Sequence, residues 1–167
     1  MRGYDEYIQK NPNEVSIFDY ARSGDLQSLN AALSQNPSLD INLKDHKGYS
    51  ALMYAAYNGH ADLVVSLIAQ GADIESTDKG GSTILMGVAF KGHADIAKIL
   101  IEAGADIHTT NFVGMNALQF SQMFGRMEVA ALLGGDHQGT FQRVSQQLKT
   151  WGYYFIQKLQ SKKENRV

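Results

Sequence analysis

The 167-residue sequence predicts an all-α solenoid of stacked helix-turn-helix units with a C-terminal capping helix. Three observations predict it. Glycines and leucines recur at a step of 33 residues. Each copy places a short hydrogen-bonding side chain where a helix must start and a glycine where it must stop. The apolar residues that follow that glycine repeat at i,i+4 spacing, the spacing of one helix face. A chain of this length can bury roughly 70% of its unfolded surface, and 44% hydrophobic residues supply the material. It contains no cysteine, which excludes disulfides, Cys-based zinc sites and thiol catalysis.

Residues 1–15 read as an N-terminal extension. Met1-Arg2-Gly3-Tyr4-Asp5-Glu6 carries acids early and no long apolar run follows, so a signal peptide is not expected. The longest apolar stretches, such as Ile99-Leu100-Ile101, fall far short of the ~20 residues of a membrane span. A soluble, cytoplasmic protein is the expectation.

Residues 16–44 hold a divergent first copy. Ile17-Phe18-Asp19-Tyr20-Ala21-Arg22-Ser23-Gly24 supplies the first helix, and Leu26, Leu29, Ala32 and Leu33 supply the second. Gly24 lies 35 residues before Gly59 instead of 33, which assigns two extra residues to the connection at Asn36-Pro37-Ser38.

Two regular copies, 45–77 and 78–110, and a truncated one, 111–137, keep a common register. Gly48, Gly81 and Gly114 are 33 residues apart, as are Gly59, Gly92 and Gly125, and Leu52, Leu85 and Leu118. Ser50, Thr83 and Asn116 stand where a first helix starts, with oxygens able to accept from unpaired backbone N–H groups. That helix is expected to end at Gly59, Gly92 or Gly125. Asp62, Asp95 and Glu128 then sit in the first turn of a second helix and complement its dipole. Its stripes are Leu63-Leu67, Ile96-Leu100 and Val129-Leu133, and Gly71 and Gly104 close it. One such pair cannot bury its own apolar face, so neighbouring copies must stack.

Residues 138–167 differ in charge. They hold 6 Lys/Arg and one acid, whereas residues 1–137 hold 9 Lys/Arg and 16 Asp/Glu. Phe141, Val144, Leu148, Trp151, Phe155 and Leu159 form one apolar stripe at helical spacing, with Thr140 as N-cap and Gly152 as an interruption. A cap on the last copy is one reading of this basic amphipathic helix. A membrane-surface helix and a partner-binding helix are two others.

These residues carry a family resemblance. The pattern G-x-S/T-A-L-M…A-A…G-H…G-A-D-I over about residues 11–137 resembles ankyrin repeats. Departures lie at the helix start, where the family's Thr-Pro-Leu-His is Ser50-Ala51-Leu52-Met53, Thr83-Ile84-Leu85-Met86 and Asn116-Ala117-Leu118-Gln119. The last copy also has Ser121-Gln122 in place of the small pair Ala55-Ala56.

The resemblance implies a non-enzymatic protein–protein interaction module that binds through a concave face. Finger-loop tips and first-helix ends line that face in the family. Here the loop positions include His46, Lys47 and Tyr49, then Lys79, then Phe112 and Met115. The helix-end positions include Arg22, Tyr57-Asn58, Phe90-Lys91 and Met123-Phe124. Aromatic and methionine side chains at such places are typical interface anchors, and Arg22, Lys47, Lys79 and Lys91 would favour an acidic neighbour.

No catalytic, cofactor-binding or metal residue is expected. His60 and His93 recur with the fold period, at the Gly-His turn where the family has a structural histidine, and no spacing supplies further ligands. The duplicated His-Ala-Asp tripeptides follow the same period, and phosphate-loop and hydrolase motifs are missing. The near-neutral charge of −2 argues against a nucleic-acid partner. The expected partner is an unidentified protein, with a peripheral-membrane adaptor using the basic helix as the alternative, and the chain is expected to be monomeric.

Overall fold

The computed structural model describes residues 16–134. The extension at 1–15 and the basic segment at 138–167 therefore lie outside the described residues. Within them the chain forms α1 (Ile17–Ser23), α2 (Leu26–Gln35), α3 (Ala51–Asn58), α4 (Ala61–Ala69), α5 (Ile84–Lys91), α6 (Ala94–Glu102), α7 (Ala117–Met123) and α8 (Met127–Leu132). The helices alternate as first and second members of each copy, in the order the period predicts.

Local chemistry sets the helix starts. The side chains of Ser50, Thr83 and Asn116 accept from the N–H groups of Met53, Met86 and Gln119 at 3.2, 3.3 and 3.0 Å. Asn116 and Gln119 form a reciprocal capping box, because the Gln119 side chain accepts from Asn116 N–H at 2.9 Å. The altered helix-start motif thus still satisfies one orphan donor in each first turn. Ser16 does the same for α1, accepting from Phe18 N–H at 3.1 Å.

The first helices α1, α3 and α5 end at Gly24, Gly59 and Gly92, all left-handed. Gly59 shows why the residue must be glycine twice over. Its φ is +86°, and an added Cβ would stand 2.9 Å from the His93 ring of the next copy. The last first-helix departs from expectation. It stops at Met123 with Phe124 as its cap, and Gly125 lies one residue beyond at φ +66°.

Successive first helices pack on one another, as do successive second helices, giving two layers joined within each copy. Leu29, Leu63, Leu67, Ile96, Leu100 and Val129 of the second helices and Leu52, Leu85, Met86 and Val88 of the first helices are buried in one core shared by the two layers. Each fully buried aliphatic side chain contributes about 1.5–3 kcal/mol relative to exposure.

The copies are also tied by hydrogen bonds at the same step. His60 Nε2 meets the Arg22 carbonyl at 3.0 Å, His93 Nε2 meets the Tyr57 carbonyl at 3.2 Å, and Arg126 Nε donates to the Phe90 carbonyl at 3.1 Å. A carbonyl only accepts, so Nε2 carries the proton in both histidines. Their role is structural, as the Gly-His turn implied.

Candidate functional site: an aromatic groove on the first-helix layer

Three loops stand beside the first helices, each built around one side chain. Asp45, Asp78 and Asn111 each use Oδ1 to accept two loop N–H groups at 2.8–3.1 Å, from residues two and four positions on. The same three side chains occur at the period of the fold. Neighbouring loops are joined by Lys79 N–H donating to the Lys47 carbonyl at 3.3 Å and Phe112 N–H to the Gly80 carbonyl at 3.1 Å. The loops thereby hold a fixed offset from one copy to the next.

Between these loops and the first-helix ends runs a groove of about 360 Å³. Arg22, Tyr49, Tyr57, Asn58 and Phe90 line it, all expected from the sequence. Ser82, expected as a loop position beside Lys79, also lines it, and so do Tyr54, Met53, Met86, Phe120, Asp78 and Thr83, which were not expected at this face. Tyr54 and Phe120 lie at the position of Gly87 one copy away, and that alternation of large, absent and large side chains opens the floor of the groove. The period itself offered this signal, since a glycine between two aromatics at equivalent positions leaves room.

The aromatic side chains form two connected sets. Tyr57 and Phe90 lie nearly parallel, with centroids 6.2 Å apart and planes at 7°. Phe90 meets Phe124 edge to face at 4.5 Å. Deeper in, Tyr54 contacts Tyr49 at 5.4 Å and Phe18 at 6.0 Å, both edge to face. Such pairs each add about 0.5–1.5 kcal/mol beyond area burial.

Two cations sit on these rings. The Arg22 guanidinium lies 4.7 Å from the Tyr54 centroid and also pairs with Asp19 at 3.0 Å. The Lys91 ammonium lies 4.9 Å from the Tyr57 centroid. Asn58 spends its Nδ2 on the Tyr54 carbonyl at 2.8 Å. Burial raises the Tyr54 hydroxyl above the usual phenol range, helped by its hydrogen bond to Asp45 and opposed by Arg22. Burial likewise raises Tyr49, with the nearby charge of Asp78 acting in the same direction.

The remaining expected residues lie off the groove. His46, Lys47 and Lys79 are exposed at the loop tips. Phe112 is 83% exposed, with one edge of its ring against Gly81. Met115 and Met123 are half-buried, and Phe124 touches the groove only through Phe90. The thirteen residues are therefore a groove wall plus an outer fringe, not one continuous patch.

Comparison with known proteins agrees with this architecture. The family model for ankyrin repeats (3 copies) matches residues 17–111. Ankyrin repeat domain-containing protein 29 of Danio rerio is 40% identical over 68 residues, covering 41% of this chain and 22% of that protein. Ankyrin repeat protein PA3287 of Pseudomonas aeruginosa is 52% identical over 48 residues, 29% of this chain and 27% of its own length. NAD-capped RNA hydrolase NUDT12 of Macaca fascicularis is 36% identical over 69 residues, 40% of this chain. The chain spans only 15% of that hydrolase, so the activity in its name describes a protein that is mostly outside the match. The matched family model covers more than half of the 167 residues, and the chain belongs to the ankyrin-repeat family.

Proposed function

We propose that the chain is a non-enzymatic module that binds a partner protein through the aromatic groove of its first-helix layer. Ankyrin repeats are general protein–protein interaction modules. The single observation that carries the choice of face is the groove itself. It presents Tyr57 and Phe90 side by side in a depression of about 360 Å³, with Arg22 and Asn58 at its edge. Rings held in place by neighbouring rings lose little freedom on binding, so burying a partner's apolar side chain costs little ordering entropy. Arg22, Lys47, Lys79 and Lys91 favour a partner with acidic residues beside that side chain. The partner class follows from these contacts, not from any relative's name.

The reading as a binding module and not an enzyme is supported by where the titratable groups are spent. Asp45 and Asp78 are occupied by loop amides, and His60 and His93 by carbonyls.

Affinity capture from the native cells tests this, comparing the full chain with Phe90→Ser and Phe124→Ser. The expected result is a partner held in fixed stoichiometry by the parent and lost from both variants at unchanged helical circular dichroism. Variants that lose stability yet capture as much partner per folded molecule would return these rings to a packing role.

A further inference from the structure

We infer that residues 138–167 fold back onto the outer side of the last repeat and cover Leu118, Met127 and Leu132. This does not depend on how the groove is used. The observation behind it is a break in an otherwise regular pattern of burial. Seven large apolar side chains are exposed among the described residues, and two of them, Met127 and Leu132, stand at positions that are half-buried in the earlier copies, whereas Phe112, Val113 and Phe124 stand where every regular copy is exposed.

The period identifies what is missing. Leu52 and Leu85 are each 1% exposed, but their equivalent Leu118 is only half-buried. Ile99 is half-buried, but its equivalent Leu132 is 43% exposed, and Met127 is 42% exposed where Ala61 and Ala94 are half-buried. In the earlier copies the next repeat supplies that cover.

The occupant is argued from the chain beyond Gly134. The described part ends two residues after Leu132, so the following segment starts at the edge of the open surface. Residues 135–140 can span up to about 20 Å, ample to turn back along α7 and α8. The stripe Phe141, Val144, Leu148, Trp151, Phe155 and Leu159 supplies an apolar face of matching chemistry. Charge also fits. Residues 16–134 carry 7 Lys/Arg against 12 Asp/Glu, with Glu128 exposed beside Met127, while 138–167 carry 6 Lys/Arg against one acid.

Trp151 is the only tryptophan, so its fluorescence reports on this segment alone. The full chain should show blue-shifted emission and low iodide quenching, both independent of protein concentration. Met127→Asp with Leu132→Asp should move emission and quenching toward those of free N-acetyltryptophanamide while helical circular dichroism is kept. Leu148→Asp, which leaves every described residue unchanged, should produce the same shift. Three results would overturn the inference. One is water-like emission in the parent or no response to these substitutions. Another is a blue shift that grows with protein concentration, which assigns the surface to a second copy. The third is a blue shift that requires phosphatidylserine vesicles, which assigns the segment to a membrane surface.

Discussion

The Tyr54 hydroxyl donates a 2.7 Å hydrogen bond to Asp45 Oδ2, joining a groove-lining ring to the loop beside it. Oδ1 of the same carboxylate accepts from Lys47 and Tyr49 N–H at 2.8 Å each. Burial alone would raise the Asp45 carboxyl, but the bonds from Tyr54, Tyr49 and Lys47 outweigh it and hold the group below the usual carboxylate range. A lowered folded-state value stabilises the fold above the unfolded value, about pH 4, and the contribution fades as pH falls through the folded value. Asp45→Asn should therefore cost about 1–3 kcal/mol near neutral pH. Urea unfolding at about pH 6 and about pH 3 should show the gap between parent and variant shrinking in acid.

The glycines after the first helices separate backbone strain from crowding. Gly59→Ala meets both, with φ at +86° and the His93 ring 2.9 Å from the new methyl. Gly125→Ala meets only strain, because nothing stands within 4 Å of its added Cβ at φ +66°. The second change should cost about 1–2 kcal/mol, the left-handed penalty alone, and the first should cost more. In a double-mutant cycle, His93→Ala should recover part of the loss at Gly59 and none at Gly125.

Phe90 sits between Tyr57 and Phe124, and the two contacts differ in kind. The edge-to-face pair at 4.5 Å should give a larger coupling energy than the parallel pair at 6.2 Å. Double-mutant cycles to alanine, read by chemical denaturation, should place both within about 0.5–1.5 kcal/mol.

Between the layers, truncation should be far more costly than on the outside. Leu67→Ala and Leu100→Ala remove fully buried side chains and should each cost about 2–5 kcal/mol. Val65→Ala, half exposed on the neighbouring face of α4, should change stability by less than about 1 kcal/mol. Denaturant midpoints with an unchanged slope would verify that these are stability effects.

Helix starts, most helix ends and the inter-layer stripe were legible in the residues because each is a local matter. Ser50, Thr83 and Asn116 cap whatever first turn follows them, and Leu63 and Leu67 share a helix face at any location. The end of α7 was misplaced by the same rule, since the glycine at 125 drew the boundary one residue past Phe124, where the helix turns without it. The groove was legible in part. Tyr49, Tyr57 and Phe90 could be placed on a common side by register, yet Tyr54 and Phe120 could not be told from core.

The sequence by itself determined a stack of four helix pairs, the residues that start and stop them, and a family. Tertiary structure alone decided which aromatic rings bury and which line a groove. It also decided that Asp45 is tied to Tyr54 and that the expected binding residues divide into a wall and a fringe. The physical reason is that capping and αL turns are settled within a few residues of chain. The direction of a ring is settled by the rings that tertiary packing sets against it, as Phe90 is set against Tyr57 and Phe124.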